Sequence, residues 1–273
     1  MKSTEKSRVI LVVSFGTSFD RARKNAIGGI ERKIAEEFPE CEIRRAFTSR
    51  IIINKLREHD GIEVDSVEQA MERLLSDGIR EVIVQPTHII NGIENDKMIE
   101  ILKDYEDKFK SMKIGSPLLT SDKDLEKVVD IFSDKVKKIA DLHTAAVFMG
   151  HGTEHSVNTV YTELEEKFRS CGIENVFVGT VEAEPELDEV ILKVRAGGYK
   201  KVVLMPFMIV SGDHASNDMA GFGQDSWKNN FINEGFEVEC IMKGLGEYSE
   251  IQSIFAEHVK SAEIGRASCR ERV

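Results

Sequence analysis

The tightest constraint on the fold of this chain is that the chain repeats itself. Val12-Val13-Ser14-Phe15-Gly16-Thr17 is answered by Phe148-Met149-Gly150-His151-Gly152-Thr153. Val84-Gln85-Pro86-Thr87-His88-Ile89-Ile90-Asn91-Gly92 is answered by Leu204-Met205-Pro206-Phe207-Met208-Ile209-Val210-Ser211-Gly212. An Asn-Asp pair follows each of these longer stretches, Asn95-Asp96 and Asn217-Asp218. Self-similarity on this scale marks a duplicated structural unit, so the second half must fold much as the first does.

Within each half, strand patterns alternate with helical ones. Apolar β-type runs lie at 9–13, 41–47 and 81–85, then at 145–149, 175–178, 201–205 and 236–241. Between them Ile27, Ile30, Ile34 and Phe38 share one helical face, as do Val67, Ala70, Met71, Leu74 and Leu75, and Gly78 closes the second pattern. The alternation predicts an α/β fold of two similar domains, each a parallel sheet flanked by helices. An amphipathic helix over 124–140 separates the halves. The expected domains are therefore 1–125 and 126–262, with the final helix free to pack on the first. Residues 263–273 change composition abruptly and are expected to be a disordered or appended tail. Two such domains with opposed strand ends would form a cleft, the usual place for a ligand.

Composition removes several classes of function. With 41% hydrophobic and 31% charged residues this is a globular chain, and no apolar run approaches the length of about 20 residues that spans a bilayer. The first residues lead directly into a strand pattern rather than a signal peptide, so a cytoplasmic location is expected. A net charge of -11 argues against nucleic acid or an anionic membrane as partner. Cys41, Cys171, Cys240 and Cys269 lack paired spacing, so neither a disulfide framework nor a thiolate metal site is indicated. Gly16-Thr17-Ser18 lacks the lysine of a P-loop, and no dinucleotide fingerprint or nucleophile elbow is present, which removes a nucleotide cofactor.

What remains is a constellation of histidines. His151 follows the opening strand of the second half between two glycines, and His214 lies in Ser211-Gly212-Asp213-His214-Ala215-Ser216-Asn217-Asp218. In a parallel sheet both stand at the C-terminal strand edge, where open α/β folds place ligands. Glu182 ends the remaining strand, and Asp213 is a carboxylate placed to orient the His214 ring. Two imidazoles and a carboxylate without thiolates suit cobalt, nickel, iron or zinc at a site with open positions. The bland alternative makes Ser211, Asp213 and Asn217 helix-capping residues, and for Glu184 and Glu186 an acidic helix start is the better reading. Position 151 is matched by Phe15 in the first half and His214 by nothing, so the second domain is expected to build the site. His88 and Glu94 would face the same cleft, and His155 is a candidate supporting residue. Basic clusters at Arg21, Arg23 and Lys24 and at Arg44, Arg45 and Arg50 lie just beyond predicted strands.

Several strings together resemble one family. Val12 to Ser18, Arg45-Ala46-Phe47-Thr48-Ser49, His88-Ile89-Ile90-Asn91-Gly92, Phe148-Met149-Gly150-His151-Gly152 and Gly212-Asp213-His214-Ala215-Ser216-Asn217-Asp218-Met219-Ala220 are similar to the anaerobic sirohydrochlorin cobaltochelatases of the CbiK type. Asp225-Ser226-Trp227-Lys228 and Gly244-Leu245-Gly246-Glu247 extend the likeness over residues 8–260. The resemblance implies a lyase-class metal chelatase with two flavodoxin-like domains. Such an enzyme inserts Co2+ into sirohydrochlorin or precorrin-2 without ATP, in cobalamin (porphyrin-type) biosynthesis, with the tetrapyrrole in the cleft. It also implies His151, Glu182 and His214 as metal ligands and His151, His214 and Glu94 as catalytic groups. Position 93 is isoleucine here, where relatives can carry another acid. Because the substrate carries many carboxylates, Ser14, Phe15, Gly16, Thr17, Ser18, Arg21, Arg45, Arg50 and His88 become candidate substrate contacts. Ni2+, Fe2+ and Zn2+ suit the same ligands, so a nickel or iron chelatase is the rival within the class. A non-catalytic tetrapyrrole or metal carrier is the rival outside it. A homo-oligomer is compatible with every one of these readings.

Overall fold

The computed structural model describes residues 8–265. They form two units, one of residues 8–120 with 246–265 and one of residues 121–245. The division thus falls after Thr120 rather than at 125. Residues 246–262, expected in the second domain, belong to the first unit, because the helix Ser249–Glu263 packs on the helix Gly28–Glu37 and on the first sheet. Its buried face, Ile251, Ile254, Phe255 and Val259, is plain from helical spacing, but spacing does not say which sheet a face will cover. Glu263 ends that helix with its carboxylate 2.5 Å from the Arg8 guanidinium, so it is not part of a tail. Beyond Gly265 the expected tail lies outside the described residues.

In the first unit β1 (Arg8–Ser14), β2 (Glu42–Phe47), β3 (Glu81–Pro86) and β4 (Ser111–Ile114) pair in parallel in the order β2-β1-β3-β4. In the second, β5 (Thr144–Gly150), β6 (Val176–Thr180), β7 (Lys201–Pro206) and β8 (Glu237–Cys240) repeat the order as β6-β5-β7-β8. The duplication is therefore one of topology as well as sequence. Only β4 was not expected: Ser-Met-Lys-Ile is four half-buried residues at a sheet edge, too short and too polar to register as an apolar run.

Central strands carry continuous apolar runs because helices cover both faces of a parallel sheet. Val9, Leu11 and Val13 lie against Val67, Met71 and Leu74 on one face, while Ile10 and Val12 are buried on the other. In the second unit Phe148 meets Phe132 at 5.3 Å, Phe168 at 5.9 Å and Phe207 at 5.7 Å between ring centroids. Removing one such buried ring typically costs about 3–5 kcal/mol, so the end of β5 is rigidly held. On the opposite face Ala145, Val147 and Met149 join a cluster with Met208, Ala215, Met219 and Trp227. Among the described residues no helix is long and apolar enough to cross a membrane.

Candidate metal centre

The chain order 2-1-3-4 in each sheet leaves the first and third strands on opposite sides of a topological switch point. In the second unit those strands are β5 and β7, and the segments leaving them carry His151 and His214. Beyond the strand ends the β5–β6 ladder continues for one more residue. Val181 donates to the Gly150 carbonyl at 3.1 Å and Glu182 to the His151 carbonyl at 2.9 Å, which sets Glu182 beside His151. Gly152, at φ +86°, turns the chain back over β6. A Cβ there would lie 2.6 Å from Thr180 Oγ1 and 2.9 Å from the Ala183 backbone nitrogen, so no other residue fits this turn unchanged. Tyr161, buried beneath it, accepts from the backbone N–H groups of His151 and Gly152. Burial outweighs those bonds and pushes its phenol up to about 12.

His214 reaches the same place by a different route. The segment Ala215–Met219 forms a π-helical turn closed by Ala220 N–H to the Ala215 carbonyl at 3.1 Å. Ala215 and Met219 are fully buried and pin it to the core, which leaves His214 and Asp218 together on its outer side. π-Turns of this kind concentrate at functional sites. Beneath the approach to His214 sits Gly244, where a Cβ would lie 2.5 Å from the Ile209 carbonyl.

One ligand atom from each of His151, Glu182 and His214 lies within 4.8 Å of the others. The two imidazoles meet edge to face, 4.7 Å between centroids and 89° between planes. His151 Nδ1 has only acceptors as neighbours, the Gly152 carbonyl at 3.0 Å and Glu182 Oε2 at 3.6 Å. His214 Nδ1 lies 2.6 Å from Asp218 Oδ2. With acceptors beside both Nδ1 atoms, the tautomer protonated there would leave each Nε2 a lone pair for a metal. Glu182 is exposed and His151 and His214 are half-buried, so incoming ions reach the set from solvent. No other group of three metal-ligating side chains occurs among the described residues.

Asp218, not Asp213, is the carboxylate that orients His214; Asp213 Oδ1 instead accepts from the Asn217 amide at 3.1 Å. Adjacency in sequence favoured Asp213, whereas the i, i+4 spacing of His214 and Asp218 is what puts two side chains on one helical face. No capping bond is made by Ser211 or Asp213 at this turn. His155 caps the short helix Ser156–Thr159 by accepting from Val157 N–H at 3.2 Å.

The candidate residues of the first unit also gather at the C-terminal edge of their sheet. Ser14 and Thr17 are buried, and Ser14 Oγ accepts from the Thr87 hydroxyl at 2.8 Å. Phe15 is half exposed, Ser18 is half-buried, and Gly16, at φ +102°, packs its backbone on the Phe47 ring. Arg21 is exposed and has no ion-pair partner among the described residues, and Arg50 is largely exposed 3.2 Å from Glu68. Arg45 is committed to Glu31 through a two-pronged contact, and buried Arg23 braces the Thr17 and Ser18 carbonyls and Asp20. Both nitrogens of His88 are shut off from solvent, and burial pushes this imidazole down to about 4 against the opposing Glu94 charge and the Asn95 side chain. For Glu94, burial works upward, but the Lys97 ammonium at 2.9 Å, Thr48 and His88 outweigh it and hold the carboxyl below its ordinary range.

Backbone register shows that Glu94 does have a counterpart in the second unit. Thr87 donates to the Val13 carbonyl as Phe207 does to Met149, and Asp96 donates to Gly92 as Ser216 does to Gly212. Glu94 therefore occupies the position of His214, which corrects the expectation that nothing in the first half matches it. Likewise Ser49 donates to the Phe15 carbonyl as Glu182 does to His151. Counting along the same register, the Asn-Asp pairs are out of step by two residues, and Asp218 corresponds to the buried apolar Met98.

Comparison with known proteins places the chain in a family. The cobalt chelatase (CbiK) family model matches residues 8–264. The chain is 38% identical over 256 residues to a sirohydrochlorin cobaltochelatase of Salmonella typhimurium, covering 93% of this chain and 96% of that one. It is 30% identical over 255 residues to the sirohydrochlorin cobaltochelatase CbiKC of Nitratidesulfovibrio vulgaris, covering 93% and 89%. In fold it resembles the sirohydrochlorin chelatase SirB of Bacillus subtilis subspecies spizizenii, solved in complex with cobalt, with a TM-score of 0.65 at 16% identity over 95% of this chain and 98% of that one.

Proposed function

This chain belongs to the cobalt chelatase (CbiK) family, and from that membership we propose that it inserts Co2+ into sirohydrochlorin, with His151, Glu182 and His214 presenting the ion. The observation that carries the metal-delivery role is the three-ligand set itself, two imidazoles and one carboxylate at a strand edge, open on its solvent side. Three protein ligands leave coordination positions for water and then for pyrrole nitrogen, as a site that passes its ion onward requires. A closed four-ligand site would hold the metal too well. The mixed N and O donors accept first-row divalent ions in general, so the ligands bind cobalt without selecting it.

Insertion exchanges one Co2+ for two pyrrole protons. While an imidazole lone pair is engaged by the metal it cannot accept them. Glu94, held ionised at neutral pH, is the acceptor we assign, together with whichever histidine releases the metal. Arg21 and Arg50 keep guanidinium groups available for the carboxylates of the tetrapyrrole, whereas Arg45 is occupied by Glu31.

The test is optical, because metallation changes the chromophore itself. Sirohydrochlorin mixed with Co2+ and catalytic protein should convert to the metallated spectrum. The His151→Ala variant should bind the tetrapyrrole, seen as fluorescence quenching, without converting it. Conversion by His151→Ala at the wild-type rate would overturn the assignment, and a wild-type protein that binds without converting would be a carrier. Parallel runs with Ni2+ and Fe2+ decide the metal.

A further inference from the structure

The two histidines of the centre are supported unequally. His151 leans its Nδ1–H on a neutral backbone carbonyl, that of Gly152, at 3.0 Å. His214 leans its Nδ1–H on an ionisable carboxylate, Asp218, at 2.6 Å. A carboxylate behind an imidazole draws the Nδ1 proton toward itself, pushes electron density to Nε2 and fixes the ring against rotation, which makes that nitrogen the stronger metal donor. The carbonyl does the same to a smaller degree. Glu182, an exposed side chain, lies 3.6 Å from His151 Nδ1.

The duplication supplies an independent internal comparison. At the first-unit position equivalent to His214 stands Glu94, and four residues on, where the second unit has Asp218, stands Met98, fully buried. Where the first unit lacks the imidazole, it also lacks the carboxylate four residues on. In the second unit both appear together, on a π-turn whose buried Ala215 and Met219 leave His214 and Asp218 facing each other.

Resting on the proposed metal delivery, we infer that Asp218 is a positioning residue that makes His214 the anchoring ligand of the ion, and that His151 is the ligand that lets go first as the tetrapyrrole takes the metal. Unequal ligands suit a site that must both capture and release. One strong donor retains the ion while coordination positions are exchanged, and a weaker donor opens without dropping it. The released His151 then has a free Nε2 lone pair and accepts one of the two displaced pyrrole protons, and the ionised Glu94 assigned above takes the other.

The test compares Asp218→Asn with wild type, since asparagine keeps the shape and an acceptor oxygen while removing the charge. By calorimetric titration with Co2+ alone, Asp218→Asn should weaken binding about 10- to 100-fold, the usual effect of losing such support. In turnover the KM for Co2+ should rise in parallel while kcat at saturating Co2+ stays or increases. His214→Ala should lose more Co2+ affinity than His151→Ala, and in the Asp218→Asn background that difference should shrink. Unchanged Co2+ affinity in Asp218→Asn overturns the proposal, as does a fall in kcat with unchanged KM, or equal losses from the two histidine variants in the wild-type background. Because the titration uses metal and protein only, it reads the role of Asp218 even if the protein were to metallate nothing, an outcome that would appear as an unchanged sirohydrochlorin spectrum with wild type.

Discussion

His88 offers a prediction in which the magnitude follows from one buried group. Its imidazole is held down to about 4 by burial, whereas an unfolded chain leaves a histidine near 6.5. Above pH 6.5 the ring is neutral in both states and contributes nothing to pH dependence. As pH falls below that value the unfolded chain binds a proton that the folded chain refuses, so the folded state loses stability, and the loss is complete only below about pH 4. Integrated from pH 7 to pH 5, this linkage costs the first unit about 2 kcal/mol. Trp227, the single tryptophan, belongs to the second unit and will not report the change. Urea unfolding read by pulsed hydrogen exchange on peptides of β1 and β3 will. Wild type should show its first-unit midpoint falling between pH 7 and pH 5 by the equivalent of about 2 kcal/mol more than His88→Gln does. A variant with the same pH-dependent loss as wild type would refute the account, placing the sensitivity elsewhere.

Two further outcomes follow from backbone geometry and from ion pairing. Gly152→Ala should reduce Co2+ affinity at least tenfold in calorimetric titration while far-UV circular dichroism stays native, because a Cβ at φ +86° meets the Ala183 backbone nitrogen at 2.9 Å and the His151 turn must shift. Unchanged affinity would mean the turn does not position His151. Arg50→Ala should raise the KM for sirohydrochlorin about tenfold with little change in melting temperature. Arg45→Ala should instead leave that KM near wild type and lower stability by about 1 kcal/mol, since its guanidinium is engaged by Glu31. The reverse pattern would reassign the substrate contact.

How much of this was legible in the sequence depends on the kind of information involved. Strand ends are read from apolar runs and turn residues, so His151 and Glu182 could be placed at one sheet edge before any coordinates. The duplicated α/β unit was legible through repetition, whereas the strand order was not, nor was β4, with only Ser-Met-Lys-Ile to announce it. The partner of His214 was misread, because Asp213 is its neighbour along the chain and Asp218 its neighbour in space. The destination of the last helix was open because an amphipathic face specifies that it is buried, not where. Arg45 looked available for a ligand because the side chain that occupies it, Glu31, lies fourteen residues away on a different element.

The equivalence of Glu94 and His214 was invisible for a deeper reason. Comparison of letters finds positions where the two halves agree, and the candidate ligand positions are ones where they differ. Phe15, Ser49 and Glu94 stand on the same backbone register as His151, Glu182 and His214. Since scaffold, strand order and hydrogen-bond register are shared, the three-ligand set at this edge of one unit and its absence from the matching edge of the other come from side chains alone. Phenyl and hydroxyl groups offer a divalent cobalt ion almost nothing, and a single carboxylate, already paired with Lys97, offers little more. Ser49 is further spent on capping the helix Arg50–Lys55 through Ile52 N–H. Among the described residues the first unit thus has no such ligand set at this edge, and it presents the half-exposed Phe15 ring and the ionised Glu94 there instead.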